Sequence, residues 1–349
     1  MPDRRSVLSA FAIGLAGCTG SDDTERIDDL EQDRLLWSFE ADGRVSTTPA
    51  VVDGTVYVGS DDHSVYALAA DSGSEQWRFP TDGEVWSAPH VDGQTVYVGS
   101  RDHNVYAIGR GGEERWRFGT DDAVIASPTL ADGTLYAGST DGAVYALAPE
   151  TGAERWAFRT DGSIHARPAV TDDRFYVGSY DSALYAVDLA TRRASWRFET
   201  DEYVSTTPAL GTDLVLFGST DRTFYALDES GSVVWTAPTD GGFGASPTLS
   251  DGTVYTGNWA FEAYAFDAAT GERTWTAELL GRANGAPAVV DGTVYIGDSA
   301  GIVHALDRGT GATQWRFRTD NAVNATPTIL DGVAYVASND GSVYAIDVS

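Results

Sequence analysis

Eight tryptophans stand at a near-constant step along this chain: Trp37, Trp77, Trp116, Trp156, Trp196, Trp235, Trp275 and Trp315. Successive ones are 39 or 40 residues apart. Eight prolines keep the same interval: Pro49, Pro89, Pro128, Pro168, Pro208, Pro247, Pro287 and Pro327. Self-similarity at this period marks one supersecondary unit repeated in tandem, and it outweighs any local motif. A length of 349 residues would otherwise suggest two or three domains. The repeat instead predicts one large domain over residues 34–349.

A single unit, residues 46–81, reads as four short strands. Thr48-Pro49-Ala50-Val51-Val52 is apolar, with the proline near its start where a missing N–H does least harm. Asp53-Gly54 is a type I′ hairpin signal, repeated at 92–93, 132–133, 251–252, 291–292 and 331–332. Thr55–Ser60, Ser64–Leu68 and Gln76–Phe79 follow, rich in β-branched and aromatic residues and separated by turn residues. Four antiparallel strands with tight turns make one propeller blade. The last unit stops at Ser349 without a tryptophan strand, whereas Leu35-Leu36-Trp37-Ser38-Phe39 precedes the first unit as a spare one. The N-terminal strand is therefore expected to complete the last blade, which removes two exposed sheet edges. The predicted fold is all-β, an eight-bladed propeller.

Charge sets the medium. There are 52 acidic residues against 23 basic ones, a formal net charge of −29, and every basic residue is arginine. Such a surface repels itself at low ionic strength. Salt removes that penalty, since the Debye length shrinks to about 3 Å at 1 M. Together with the missing lysines, this resembles haloarchaeal proteins. Nucleic acid is excluded as a partner for want of a basic face. One cysteine, Cys18, allows neither an intrachain disulfide nor a thiolate metal cluster.

The first eighteen residues read as an address. Arg4-Arg5 precedes an apolar run too short to span a bilayer, matching a twin-arginine signal peptide. Leu15-Ala16-Gly17-Cys18 looks like a lipobox, in which cleavage exposes Cys18 for lipid attachment. Residues 19–33 are polar and acidic and read as a solvated, flexible tether. These features predict a lipid-anchored protein on the extracytoplasmic face of the cytoplasmic membrane.

Between the third and fourth strands the units carry Ala146-x-x-x-x-Thr151-Gly152-x-x-x-Trp156, and the same spacing at Ala265–Trp275 and Ala305–Trp315. Arg192 replaces the glycine in one unit. The pattern resembles the tryptophan-docking motif of pyrroloquinoline-quinone-like, or quinoprotein-type, propellers. That family includes quinone-dependent alcohol and sugar dehydrogenases, and also non-catalytic propellers such as the lipoprotein of the bacterial outer-membrane assembly machinery. The resemblance implies that the eight tryptophans lock adjacent blades, that the first strand lines a central channel, and that ligands use the face bearing the 4→1 and 2→3 connections.

Two registers converge on that face. Three residues before each proline stand Ser46, Trp86, Ile125, His165, Ser205, Gly244, Asn284 and Asn324. They vary where the rest of the unit repeats, as an asymmetric site or a drifting loop would. The second register is an aspartate in the 2→3 turn: Asp62, Asp102, Asp141, Asp181, Asp221 and Asp340. Aspartate there most simply bonds its own turn backbone. The sixth and seventh units break the pattern, which suggests a patch near Trp259, Glu262, Asn284 and Asp298. Across the ring, Arg167 follows His165 and is suited either to holding an anion or to pairing with a turn aspartate. The candidate channel-face set is thus Trp86, His165, Arg167, Trp259, Glu262, Asn284, Asp298 and Asn324.

Three functions fit these residues to different degrees. Short turns leave little room for catalytic insertions and favour a non-catalytic, monomeric binding module for an envelope protein or small ligand, without a cofactor. The alternative is a dehydrogenase using pyrroloquinoline quinone and calcium, with Glu262, Asn284, Asp298 and Arg167 as candidate parts. Known alcohol dehydrogenases of that type stack the cofactor on an adjacent cysteine pair, which this chain lacks. A signal-sensing ectodomain would require a partner subunit.

Overall fold

The computed structural model describes residues 30–349. Arg4, Arg5, Cys18 and most of the tether lie outside the described residues. The rest forms eight four-stranded antiparallel sheets arranged as successive blades. Blade 1 comprises Ala50–Val52, Thr55–Ser60, Ser64–Ala69 and Glu75–Pro80. Blades 2 to 7 repeat this plan, beginning at His90, Thr129, Ala169, Ala209, Thr248 and Ala288. Blade 8 combines Thr328–Leu330, Val333–Ala337 and Ser342–Asp347 with the N-terminal strand Leu35–Glu40. Trp37 pairs with Ala345 and Phe39 with Val343, so the chain's two ends close the ring as the spare tryptophan strand predicts.

The first strand of each blade is only two or three residues long and begins directly after its proline. The Asp-Gly turns at 53–54, 132–133, 251–252, 291–292 and 331–332 place both residues at positive φ, as type I′ requires. The 92–93 pair differs. Asp92 pairs with Thr95, so Gly93 and Gln94 make the turn and only Gly93 has positive φ.

Each tryptophan docks on the next blade. Six donate an indole N–H to a carbonyl 33 residues ahead, as Trp116 does to Pro149 at 2.8 Å and Trp235 to Ala268 at 2.9 Å. A bulge in the third-to-fourth strand pairing, such as that between Ala67 and Leu68, lies beside each of these tryptophans and re-aims the strand. The motif glycine packs flat on the ring: a Cβ at Gly152 would lie 2.5 Å from Trp116, and its φ of 72° favours glycine independently. Where Arg192 replaces that glycine, its guanidinium sits 5.9 Å over Trp156. Trp315 is covered instead by Arg34, at 4.7 Å. That contact moves the start of the folded region. Leu30 bridges Arg316, and Gln32 exchanges hydrogen bonds with the Arg318 backbone at 2.9 and 3.0 Å. Residues 30–33, expected to belong to the tether, therefore lie against the outer strand of blade 7.

Candidate functional site

The turn aspartates answer the structural expectation and add a partner the sequence reading missed. Asp141 accepts the N–H of Ala143 in its own turn at 2.8 Å, the N–H of Asp121 from the incoming loop at 3.1 Å, and the hydroxyl of Tyr145 at 2.6 Å. Tyr66, Tyr106, Tyr185, Tyr225 and Tyr344 bond Asp62, Asp102, Asp181, Asp221 and Asp340 in the same way. Burial, reinforced by the carboxylate, pushes Tyr145 and Tyr185 up to about 12.

Blades 6 and 7 rebuild this couple with other residues. In blade 7, Asp298 moves two positions earlier and His304 takes the tyrosine's place; they meet at 2.8 Å and both are fully buried. Asp298 also accepts backbone N–H groups from Leu280, Ala300 and Ile302. In blade 6, Glu262 accepts from Tyr264 and Asn258. Glu262 lines a crevice with Asp240, Tyr264 and Arg273, away from the channel. The expected patch therefore dissolves. Asp298 and Glu262 leave the candidate set because their carboxylates are bonded to the turns and hairpins of their own blades.

What remains surrounds a central funnel. The 2→3 turn of every blade bonds the loop leading into its first strand, as Asp61 N–H does to Arg44 and Tyr180 N–H to Ser163. This holds both connections on one face. A cavity of about 360 Å³ at the mouth is lined by Ser46, Asp61, Trp86, Ile125, His165, Asn284 and Asn324 among others. A second cavity of about 460 Å³ shares Ser46, Trp86, Asn284 and Asn324 with it and continues down to His90, Arg167 and the prolines. Six members of the variable register thus meet at one mouth. Ser205 and Gly244 line neither cavity.

The rim is asymmetric. Trp86 stands 42 % exposed, donates its indole N–H to Asp61 at 2.8 Å and carries Arg101 4.3 Å over its ring. Arg101 in turn pairs with Glu84. Trp259 instead folds down over Gly244, where a Cβ would come within 2.4 Å of its indole nitrogen. From there it donates to Asn284 at 2.9 Å, and Asn284 donates to Asn324 at 2.9 Å. Opposite, His165 stacks on Tyr180 at 3.8 Å and Tyr180 on Tyr203 at 4.4 Å. Burial pushes His165 down to about 4, so its imidazole is neutral at pH 7. Tyr180, Tyr203, Asp61 and Arg101 were missed by the sequence reading. Their signal was available, since they vary in registers where neighbouring positions repeat.

Arg167 forms no ion pair among the described residues. Its Nε donates to Thr129 Oγ1 at 2.8 Å and its backbone N–H to Thr207 Oγ1 at 3.1 Å. The surrounding wall lowers its pKa by desolvation, yet the side chain opens on the channel. An arginine in that position keeps its charge at neutral pH.

Among the described residues, the donors required by a calcium-held quinone are not assembled at the channel. Calcium takes six to eight oxygens, carboxylates prominent among them. Here Glu262 and Asp298 are consumed elsewhere, and the rim carboxylates Asp61 and Glu84 face Trp86, Arg44 and Arg101.

A family model described as outer membrane protein assembly factor BamB (PQQ_2) matches residues 23–109, 101–208, 202–276 and 260–349. No curated protein matches the sequence. Among solved structures, the computationally designed protein Ika8 superposes with a TM-score of 0.81 at 17 % identity, covering 90 % of this chain and 99 % of its own. BamB from Moraxella catarrhalis gives 0.78 at 19 % identity, with the same coverages of 90 % and 99 %. The quinohemoprotein alcohol dehydrogenase from Comamonas testosteroni gives 0.78 at 16 % identity, over 90 % of this chain and 76 % of that one. At these identities the structures attest the fold alone. Because the family model recurs across nearly the whole sequence, this chain belongs to the BamB-like family of PQQ-repeat propellers.

Proposed function

We propose that the protein is a non-catalytic binding module, held by lipid at the extracytoplasmic face of the cytoplasmic membrane, which engages an envelope protein through its channel mouth. One observation carries this reading. The rim presents exposed Trp86, the Trp259–Asn284–Asn324 chain and the His165–Tyr180–Tyr203 stack on a rigid ring, while its carboxylates are tied to other side chains. Aromatic residues on a preorganised surface are the usual anchors of protein recognition. Membership of a family described as an assembly factor supports a scaffold role. Outer-membrane assembly itself is not carried over, because the lysine-free, acidic composition points to a haloarchaeal type of host with no outer membrane.

The test is capture from membrane extract in multimolar salt by immobilised protein, with the Trp86→Ala variant alongside. Wild type should retain one partner that the variant loses; equal capture by both sinks the rim assignment. Anchoring is tested separately by Cys18→Ser, which should release the protein into the medium.

The second reading, a quinone dehydrogenase, has the Comamonas testosteroni enzyme's fold in its favour. Titration with pyrroloquinoline quinone and calcium in multimolar salt should give neither stoichiometric binding nor dye-coupled oxidation of alcohols or sugars. Tight binding with turnover would replace the first reading with the second.

A further inference from the structure

Beneath the rim, the lower cavity has an electrostatic character opposite to that of the molecule. The chain carries 52 carboxylate residues against 23 arginines. Yet none of the residues lining this cavity of about 460 Å³ is aspartate or glutamate, whereas Arg167 and His90 both line it. Arg167 commits only Nε to a side chain of the wall, at Thr129, and its two Nη groups have no protein acceptor among the described residues. His90 lies close enough for the Arg167 charge to add to burial in lowering its pKa.

The hydroxyls here are donors by construction. Residues just before the prolines make four inter-blade links. Ala88 N–H donates to Ser127 Oγ at 2.9 Å, Arg167 N–H to Thr207 Oγ1 at 3.1 Å, Thr207 N–H to Ser246 Oγ at 2.9 Å and Thr326 N–H to Thr48 Oγ1 at 3.2 Å. Each of these oxygens already accepts from the wall, and none donates to a described residue. The hydroxyl hydrogens are therefore available to whatever fills the cavity. A guanidinium with free Nη groups among the described residues, hydroxyl donors around it and no carboxylate in the lining makes a cradle for negative charge; the nearest acid acting on His90 is Asp92, two residues along its strand, which opposes the Arg167 charge there. A planar carboxylate matches the guanidinium fork in a way a spherical ion does not.

We infer that the channel waist is a binding site for a small carboxylate, held by Arg167 and the Ser127, Thr207 and Ser246 hydroxyls. The site goes beyond the rim reading and does not depend on it, since no partner and no membrane enter the test.

The experiment titrates the purified protein with sodium succinate by calorimetry, and with sodium chloride at matched ionic strength. The His90 imidazole is followed in parallel by NMR. Succinate should bind saturably and raise the His90 pKa, because a bound anion offsets the Arg167 charge. Arg167→Gln should weaken binding roughly tenfold or more, the scale of one charged hydrogen bond, while keeping the wild-type circular dichroism spectrum. If Arg167→Gln fails to fold, Arg167→Lys serves instead: it keeps the charge, loses the fork, and should weaken succinate more than chloride. Unsaturable heats, chloride binding as tightly as succinate, or a His90 pKa indifferent to succinate would each overturn the assignment.

Discussion

The seams between blades and the rim of the channel are built from the same repeat and have opposite characters. At the seams and in the hairpins beside them, two kinds of contact recur around most of the ring. Tryptophan meets a carbonyl 33 residues ahead, and tyrosine meets a turn carboxylate. Even blade 7, which lacks that tyrosine, recreates the geometry with His304 and Asp298. At the rim, equivalent backbone positions carry Trp86, Ile125, His165, Gly244 and Asn324. The difference teaches that repetition measures shared structural duty. Where the repeat lapses but the geometry is restored, the position is still structural. Where both lapse, the fold leaves the side chain free for another role.

Substitutions at the two regions should separate cleanly. Trp235→Ala removes a buried indole that spans two blades, and should cost about 3–5 kcal/mol in chemical unfolding. A loss below about 1 kcal/mol would mean the seam does not hold the ring. Asp298→Ala strands three backbone N–H groups and the fully buried His304, so about 2–4 kcal/mol is expected. The same change at exposed Asp42 should be nearly silent.

Acidity probes the rim more gently. His165 is held near 4 in the fold and titrates near 6.5 when unfolded. The unfolded chain therefore binds the extra proton first, and stability falls as pH drops through that window. The contribution of His165 is whole above about pH 6.5 and exhausted below about pH 4. His165→Gln should flatten this part of the pH profile in unfolding titrations; an unchanged slope would show that His165 is solvated. Smallest of all, Trp86→Ala should shift stability by less than about 1 kcal/mol, because its indole is 42 % exposed, and should act on partner capture instead.

The architecture was legible because its determinants repeat. Tryptophan spacing, prolines and Asp-Gly turns each occur often enough to be read against one another. The seam's second half was less legible. Tyr145 lies four residues after Asp141, but only the folded hairpin turns that spacing into a hydrogen bond. Glu262 and Asp298 were misplaced for the same reason, since a carboxylate shifted along the chain looks like a lost seam until the turn is folded. The His165–Tyr180–Tyr203 stack was hidden because its members come from separate loops of two blades. Arg167 was visible as an anomaly in its register, but that it pairs with no carboxylate among the described residues emerges only from the cavity around it.

Blade 8 joins Leu35–Glu40 to Ser342–Asp347, the first and last strands in chain order among the described residues. Its outer strand must therefore wait through the synthesis of every other blade before it finds its neighbour. Trp37, whose indole reaches Ala70 in blade 1, must wait with it before its strand is fully paired. Completion of the wheel is thus a checkpoint on translation: a ribosome stalled before Ser342 releases a chain whose first strand has no place to go.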